Sequence, residues 1–295
     1  MLCLFRTSGV IILRFPRFLR LLKLACQGIQ VFYPKEMQQR HSDREQYFRE
    51  LSITSEQYFI PYVSQFIHMS EQTEVLEIGC GEGGNLLPFA KLGCKVTGID
   101  ILPQRIEQAR AFFEDYGYNG TFLSKDILKV PLEKQYDVII IHDAIEHIYS
   151  KEELLRFTRK ALKPEGICFI GFPSWQMPFG GHQQICRSKI ASHFPFIHLL
   201  PGKMYPAVLR WCGENKGTID DLLEIKSCRM TIGNFERLAE KCGWQIINRK
   251  LYFINPHYEI KFGLRPRVLS KCISGLPFIR NYFSSSCFYI LKSAN

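Results

Sequence analysis

A glycine-rich turn from Gly79 to Gly84 is the stretch whose residue types and spacing first indicate chemistry. The glycines at 79, 81 and 84 fit the pattern G-x-G-x-x-G, and Cys80 stands between the first two. Glycines let the backbone approach a ligand closely and aim the N-terminus of the following helix at it. The pattern predicts ligand binding by Gly79, Cys80, Gly81 and Gly84, with a plain strand–helix turn as the alternative.

Glu77, two residues before Gly79, narrows the kind of ligand. Its carboxylate is placed at the carboxyl end of a predicted strand, where it attracts a cationic group and repels a pyrophosphate. S-adenosylmethionine carries an ammonium and a sulfonium, so it suits this place better than a dinucleotide does. We therefore predict S-adenosylmethionine as the cofactor and Glu77 as one of its binding residues.

Two aspartates follow later predicted strands. Asp100 ends the second strand, 21 residues after Gly79, where a carboxylate can accept hydrogen bonds from both ribose hydroxyls. Asp126 follows the third strand and can accept a hydrogen bond from an adenine amine, while Ile127 packs on the ring. We predict Asp100, Ile101, Asp126 and Ile127 as cofactor-binding residues; a solvated aspartate or a turn cap is the alternative for each acid.

The segment His142-Asp-Ala-Ile-Glu-His147 follows the fourth predicted strand. The central crevice of a doubly wound sheet opens at this point, so His142 and Asp143 are predicted to line the methionine end of the ligand. A second interpretation is a divalent metal site, with magnesium as the expected ion, because Asp143, Glu146 and His147 can converge on one helical turn. We favour the first interpretation, in which Glu146 and His147 make local hydrogen bonds.

Alternating apolar runs and helical periodicities predict the framework that positions these residues. The fourth strand is almost wholly apolar, as in a parallel sheet covered on both faces, and the turn Lys163-Pro-Glu-Gly166 is expected to separate a helix from the fifth strand. The order of elements predicts an α/β fold with a doubly wound parallel sheet. The predicted strands are Val75–Ile78, Lys95–Ile99, Gly120–Ser124, Tyr136–His142, Ile167–Gly171, Trp244–Phe253 and Cys287–Leu291, and the predicted helices are 42–68, Asn85–Leu92, Pro103–Tyr116, Lys151–Leu162 and Thr231–Lys241.

Together these pieces resemble a class I S-adenosylmethionine-dependent methyltransferase. The resemblance covers residues 70–172 and, more loosely, 231–294, and it is specific for the superfamily but not for a substrate. It implies a seven-stranded Rossmann-like sheet whose last strand runs antiparallel, with donor binding by the glycine turn, Asp100 and Asp126. The matching motifs are Val75-Leu-Glu-Ile-Gly-Cys-Gly-Glu-Gly83, Val96-Thr-Gly-Ile-Asp100, Lys125-Asp126-Ile127, the stretch from Tyr136 to His147, and Leu162-Lys-Pro-Glu-Gly166.

Within that superfamily, Asp143-x-x-Glu146-His147 is similar to a Glu-x-x-Glu-His segment. That segment binds a divalent metal in ubiquinone-pathway O-methyltransferases and in small-RNA 2′-O-methyltransferases. Here the first acid is an aspartate, whose side chain is one methylene shorter, and this departure puts metal binding in doubt.

The regular alternation stops at Phe172. Residues 173–230 are rich in proline, glycine and aromatic residues, and they predict an inserted cap above the carboxyl edge of the sheet. We expect the cap to contact the substrate through Trp175, Phe179 and His182. His182 and His142 are the candidate catalytic residues, since an imidazole can act as general base for a hydroxyl; a structural histidine is the alternative for His182. The expected acceptor is a small molecule or a lipid- or glycan-linked hydroxyl, and O-methylation is favoured.

Two other classes of function compete with this interpretation. One is an NAD(P)-dependent oxidoreductase, because the glycine spacing and Asp100 also suit NAD; Glu77, Asp126 and the lack of a Tyr-x-x-x-Lys motif disfavour it. The other is a non-catalytic nucleotide-binding module. The intact glycine turn and both nucleotide-binding acids argue against a module.

The composition and charge of the chain limit the classes of protein to which it can belong. The chain has 295 residues, a net charge of +10 and 11 cysteines without C-x-x-C pairs, which is typical of a globular protein in the reducing cytoplasm. Residues 1–36 hold six Lys/Arg and one acid, half of the net charge, so the remainder gives no strong nucleic-acid signal. We interpret 1–36 as an extension upstream of a start at Met37, with peripheral membrane contact through a basic helix as the alternative. Residues 37–295 are predicted to be one methyltransferase domain.

Overall fold

Eight strands build one sheet whose order explains where a ligand can bind. The computed structural model describes residues 43–129 and 134–294. In chain order the strands are β1 Glu74–Ile78, β2 Lys95–Asp100, β3 Thr121–Ser124, β4 Tyr136–His142, β5 Leu162–Phe172, β6 Trp244–Ile254, β7 Arg267–Val268 and β8 Ser286–Ser293. Their order in space is β3-β2-β1-β4-β5-β8-β6-β7.

The direction of winding reverses between β1 and β4. β1 pairs in parallel with both β2 and β4, so that Leu76 lies opposite Thr97 on one side and Ile139 on the other. The pairs β2–β3 and β4–β5 are parallel as well. Open sheets of this kind bind ligands beyond the carboxyl ends of the strands at such a reversal. The predicted doubly wound sheet is therefore confirmed.

The last strand is antiparallel, as the resemblance implied. β8 pairs antiparallel with β5 and β6, and Cys287 near its start lies opposite Phe172, the last residue of β5. One additional two-residue strand, β7, pairs with the end of β6 and raises the expected seven strands to eight. The start of β8 lies at the same edge of the sheet as the carboxyl ends of β1 to β5.

Helices cover both faces of the sheet. Alternate residues of β4 pack into two separate buried clusters, Ile139 and Ile141 in one and Val138 and Ile140 in the other. A π-helical turn, Ser55–Phe59, joins the first two helices. The helices are α1 Arg44–Thr54, α2 Ile60–Val63, α3 Leu87–Lys91, α4 Pro103–Asp115, α5 Lys151–Ala161, α6 Lys189–His193, α7 Met204–Trp211, α8 Lys216–Cys228, α9 Ile232–Lys241, α10 His257–Phe262, α11 Lys271–Ser274 and α12 Ile279–Phe283, and 3₁₀ turns span Gly84–Leu86, Ile127–Lys129, Ile145–His147, Gln183–Ile185 and Ile197–Leu199.

Local sequence signals set several helix ends. Thr231 caps α9, its hydroxyl oxygen accepting a hydrogen bond from the Asn234 backbone N at 3.1 Å. Gly93 and Gly243 follow α3 and α9 with φ of 85° and 79°, a conformation that costs glycine little and other residues more. The predicted boundaries of these helices therefore agree with the structure to within a few residues.

The segment Lys163 to Gly166 differs from the expectation. α5 ends at Ala161 and β5 begins at once, so these four residues lie inside the strand. Leu162 pairs with Tyr136 and Ile167 with Val138, which leaves the segment as a bulge opposite Asp137. Lys163 Nζ lies 2.7 Å from Asp137 Oδ2, and this ion pair holds the bulge in place.

Residues 173–230, predicted as an insertion, lie between β5 and α9 and contain α6, α7 and α8. They bury an apolar cluster of their own, with Tyr205, Leu209 and Leu222 at its centre. The helix predicted over 42–68 is present from Arg44 to Val63, through α1, the π-helical turn and α2. The predictions for residues 1–36 fall outside the described residues. Within the part of the chain that the structure describes, none of the helices is long and apolar enough to span a membrane.

Candidate functional site

A cleft of about 570 Å³ opens at the carboxyl ends of β1 to β4. It collects residues that are distant in sequence but follow neighbouring strands. Parallel strands end at one edge of a sheet, so the residues that follow them meet there. Of the residues predicted from the sequence, those that line the cleft are Gly79, Asp100, Ile101, Asp126, Ile127, Asp143 and His147.

Backbone N–H groups orient the two aspartates of the cleft. Asp100 Oδ2 accepts a hydrogen bond from Gly81 N at 3.0 Å, and its Oδ1 accepts one from Leu102 N at 2.9 Å. Asp126 Oδ1 accepts one from Leu128 N at 3.1 Å. Carboxylate oxygens have lone pairs beyond these bonds, so both acids can still accept hydrogen bonds from a ligand.

Only part of the glycine turn borders the cleft. Gly79 has a φ of 75°, and a methyl group on it would lie 2.7 Å from Ala144 Cβ. Gly84 instead allows α1 to approach the turn closely, because a methyl group there would lie 2.6 Å from the Phe48 carbonyl oxygen. The Cys80 side chain packs in the core, where its Sγ lies against Gly98. Gly84 and Cys80 thus support the turn from behind, contrary to their prediction as ligand contacts.

Glu77, at the end of β1, is fully buried. Its Oε1 accepts a hydrogen bond from Asn85 Nδ2 at 2.7 Å, while its Oε2 has no hydrogen-bond partner within the described residues. Burial and, to a smaller extent, the charge of Asp100 raise the pKa of Glu77 to about 8. The hydrogen bond from Asn85 acts in the opposite direction. A nearby cation would favour the ionised form. Glu77 is not among the residues that line the cleft, although the adjacent Ile78 and Gly79 are, so its contact with the cationic end of a sulfonium donor stays a prediction.

His142 does not border the cleft, contrary to its prediction as a cofactor-binding and catalytic residue. Its ring is buried 4.6 Å from the ring of Phe59 and 5.9 Å from that of Phe288, measured between centroids. Burial lowers its pKa. The alternation along β4 places His142 on the same face as Ile140, and Asp143, with a φ of 49°, turns into the cleft instead.

Glu146, His147 and His182 converge beside the cleft, which His147 also lines. One ligand atom from each lies within 4.8 Å of the others, and the two imidazole centroids are 4.9 Å apart. Both carboxyl oxygens of Glu146 are buried without a hydrogen-bond partner in the described structure, and burial together with Asp143 raises its pKa well above the ordinary value. Asp143, predicted from the sequence as a metal ligand with Glu146 and His147, is not part of this group, whereas His182 is.

The electrostatics of His182 argue against a general base. Burial, together with the charges of His147 and His198, lowers its pKa to about 3. Burial also lowers the pKa of His147. Both imidazoles are therefore neutral over the physiological range, which suits metal ligation but leaves His182 a weak base.

Trp175 and Phe179 organise the insertion and do not line the cleft. The Trp175 carbonyl oxygen is hydrogen-bonded to His198 Nε2 at 2.7 Å. The Phe179 carbonyl oxygen accepts a hydrogen bond from His182 N at 3.1 Å. Both side chains, predicted as substrate contacts, are buried, and the Phe179 backbone contacts that of His182.

Sequence reasoning missed a charged group around the glycine turn. Glu82 is buried, and its Oε1 lies 3.2 Å from Arg44 Nη1 of α1 and 3.9 Å from Arg105 Nε of α4. Burial raises the pKa of Tyr47 on α1, and the charges of Asp143 and Glu82 raise it further. α1 therefore packs over the turn with polar groups facing the site. The sequence signal for this charged group was an acidic residue, Glu82, within the glycine turn. Its partners, Arg44 and Arg105, lie on two separate helices, so the sequence pattern did not reveal them.

Comparisons with known proteins identify a methyltransferase domain within the chain. Residues 75–166 match the family described as "Methyltransferase domain". The ubiquinone biosynthesis O-methyltransferase of Rickettsia conorii is 33% identical over 114 residues, 38% of this chain and 39% of that protein. The protein of the same description from Rickettsia typhi is 29% identical over 235 residues, 75% of this chain and 85% of that protein. The chain spans less than half the length of the first of these relatives.

Solved structures show the same fold. An S-adenosylmethionine-dependent methyltransferase from Clostridium acetobutylicum superposes with a TM-score of 0.52 at 10% identity, covering 82% of this chain and 92% of that one. A protein from Pyrococcus horikoshii superposes with a TM-score of 0.50 at 15% identity, covering 80% and 88%. Residues 75–166 thus match a methyltransferase domain, and the fold of the chain is similar to that of an S-adenosylmethionine-dependent methyltransferase.

Proposed function

We propose that this protein transfers a methyl group from S-adenosylmethionine to a hydroxyl oxygen of a small or lipid-linked acceptor. The observation that carries the proposal is that His147 belongs both to the donor cleft and to the group with Glu146 and His182. Methyl transfer is an in-line displacement at a sulfonium carbon, so it needs donor and acceptor in adjoining sites. The donor cleft and the group formed by Glu146, His147 and His182 share His147 and can serve as such a pair of adjoining sites.

The donor half of the proposal assigns one chemical group to each part of the cleft. Asp100 accepts hydrogen bonds from the ribose hydroxyls, and Asp126 accepts one from the adenine amine. The backbone at Gly79 adjoins the methionine end, where the partly unpaired carboxyl group of Glu77 complements the cationic charge. The match of residues 75–166 to a methyltransferase domain supports this donor over NAD.

For the acceptor half, we propose that Glu146, His147 and His182 hold a divalent cation. One carboxylate and two neutral imidazoles suit Mn²⁺ or a similar transition metal better than Mg²⁺, which prefers oxygen ligands. When bound, the cation supplies a Lewis acid that lowers the pKa of an acceptor hydroxyl. This chain's own residues supply the ligands, the orientation and, through the buried side chain of Glu146, exclusion of water from one side of the group.

Oxygen is proposed as the acceptor atom on two grounds. The relatives named above are described as O-methyltransferases. In addition, a hydroxyl is the acceptor type that gains most from a neighbouring cation, because its ordinary pKa is far above neutrality.

Isothermal titration with S-adenosylhomocysteine tests the donor half. Asp100→Ala should weaken binding roughly a hundredfold, since it removes acceptors for two hydrogen bonds to a charged group. Asp115→Ala, at the exposed end of α4, should leave the affinity unchanged. Binding of NAD but not of S-adenosylhomocysteine would overturn the proposal.

Titration of Mn²⁺, followed by electron paramagnetic resonance, tests the cation site without relying on turnover. Glu146→Gln and His182→Asn should each remove tight Mn²⁺ binding, whereas Glu153→Gln on the exposed side of α5 should not. Transfer of labelled methyl into fractionated extract, with and without a chelator, then tests the acceptor half. Full turnover in the chelated protein would reject the cation.

A further inference from the structure

Helix α12 exposes apolar side chains and buries polar ones. Phe278, just before the helix, is 85% exposed, whereas Arg280 and Asn281 are only 8% and 4% exposed. A surface helix normally has the opposite arrangement, with its apolar stripe toward the core. The exposed side chains, here called the apolar face of α12, are Phe278, Ile279, Tyr282 and Phe283.

Specific contacts fix this inverted orientation. Arg280 Nη2 pairs with Glu236 Oε2 at 2.6 Å. Asn281 Oδ1 accepts hydrogen bonds from Ile232 N at 2.9 Å and from Ser174 Oγ at 3.0 Å. Rotation of the helix to bury its apolar face would strip a buried guanidinium and a buried amide of these partners, which is strongly unfavourable. The apolar face is thus held outward by the fold.

The apolar surface continues beyond the helix. The ring of Phe283 lies 6.5 Å from that of Phe253, which is exposed near the end of β6. The ring of Tyr282 lies 6.3 Å from that of Phe196 in the insertion. Because α12 leads directly into β8, this surface lies at the edge of the sheet where the carboxyl ends of the parallel strands also lie. Contiguous exposed apolar surface of this kind marks an interaction site.

The chain segment that carries this surface is basic. Residues 260–295 contain six Lys/Arg and no Asp or Glu. Arg265, Arg267 and Lys271, in the segment that leads to α12, are exposed. Exposed aromatic and aliphatic side chains next to basic residues are the combination that binds the interface of an anionic lipid bilayer, where the apolar groups enter the headgroup region and the cations meet lipid phosphates.

We propose that the apolar face of α12, with Arg265, Arg267 and Lys271, binds the surface of an anionic membrane. The contact places the carboxyl edge of the sheet toward the lipid, which suits delivery of a lipid-linked acceptor. Membrane binding itself is independent of the proposed methyl transfer, so the two can fail separately.

Co-sedimentation of the full chain with vesicles tests the proposal. Binding is expected to phosphatidylcholine vesicles that contain phosphatidylglycerol and to be weaker without it. The double variant Phe278→Ser/Ile279→Ser should lower the partition coefficient roughly tenfold or more for each side chain replaced. Leu92→Ser, an exposed apolar residue near the amino end of β2, is the matched control and should bind as the unmodified chain does.

Charge removal provides the second arm of the test. Arg265→Gln/Arg267→Gln/Lys271→Gln should lower binding to the anionic vesicles about fivefold for each charge removed, and salt should erase the difference. Residues 1–36 are present in every variant, so their own charge does not affect the comparison. Retained binding of S-adenosylhomocysteine shows that each variant is folded.

Two results would overturn the proposal. One is unchanged vesicle binding by folded Phe278→Ser/Ile279→Ser. The other is a sedimentation result in which the unmodified chain is a dimer and this variant is a monomer, while vesicle binding persists. A second copy of the chain would then cover the apolar face of α12.

Discussion

The residues that line the donor cleft lie between Ile78 and Ile148, with Glu224 as the exception. The acceptor side is assembled differently. It joins Glu146 and His147 to His182 of the insertion, and it anchors α12 through a Ser174–Asn281 hydrogen bond that spans 107 residues of chain. The donor side therefore follows from one run of alternating strands, whereas the acceptor side depends on contacts between segments that the alternation does not relate. Substitutions on the donor side and substitutions on the acceptor side should therefore change different measured properties.

The largest expected effect is at the donor side. In Gly79→Ala the new methyl group would meet Ala144 Cβ at 2.7 Å in a residue with a φ of 75°, so both strain and overlap oppose the turn. We expect donor affinity to fall by roughly a hundredfold or more, measured by titration with S-adenosylhomocysteine. Gly202→Ala is the control, because nothing lies within 4 Å of the added group. Equal affinity in the two variants would contradict the assignment of the turn.

The reciprocal substitution is Gly181→Ala in the insertion. Its methyl group would lie 2.2 Å from His198 Cβ, next to His182. We expect a loss of about 2 kcal/mol in the free energy of unfolding from overpacking, together with weaker Mn²⁺ binding, while donor affinity stays unchanged. Urea titration and the two binding measurements check this. A parallel fall in donor affinity would show that the two sides are one cooperative unit.

The donor side was predictable because strand ends carry positional information. Apolar runs locate the strands, parallel pairing brings their carboxyl ends to one edge, and the polar residues that follow must meet there. Gly79, Asp100 and Asp126 were placed in this way, and all three line the cleft. Glu77 was predicted for its charge, but it does not line the cleft; its Oε2 is buried without a hydrogen-bond partner among the described residues, and its contact with the donor stays a prediction.

The acceptor side was less predictable for physical reasons. Spacing on one helical turn grouped Asp143 with Glu146 and His147, but the ligand atoms that lie within 4.8 Å of one another come from Glu146, His147 and His182. His182 arrives from an insertion whose path is set by its own small core. α12 reverses the usual rule, because its buried arginine pairs with Glu236 at 2.6 Å. Each case depends on tertiary partners that local pattern does not specify.

The pKa of Glu77 gives a pH test of the donor side. Folding raises this pKa from 4.5 to about 8, so the stability contributed by the group is complete below the lower value and is lost as pH rises through the higher one. A cationic donor favours the ionised form, so binding should release a proton and strengthen by at most about tenfold per pH unit up to pH 8. Titrations in buffers of different ionisation enthalpy measure the proton release.

Glu77→Gln should remove both the proton release and the pH dependence, whereas Glu71→Gln, at an exposed position before β1, should retain them. Donor binding by the unmodified chain that is independent of pH over this interval would mean that Glu77 stays protonated in the complex. The charge argument for a sulfonium ligand would then lose its support.

The smallest expected effect tests the link between the insertion and α12. Ser174→Ala removes one hydrogen bond to Asn281 Oδ1, which still accepts a bond from Ile232 N, so unfolding should become easier by only about 1 kcal/mol. Ser64→Ala, on an exposed turn of α2, is the control for loss of a hydroxyl. Because Ser174 connects only acceptor-side elements, amide hydrogen exchange should increase in α12 and the insertion and stay constant in β1 to β4. Faster exchange around the glycine turn would show that the donor side, too, depends on this long-range contact.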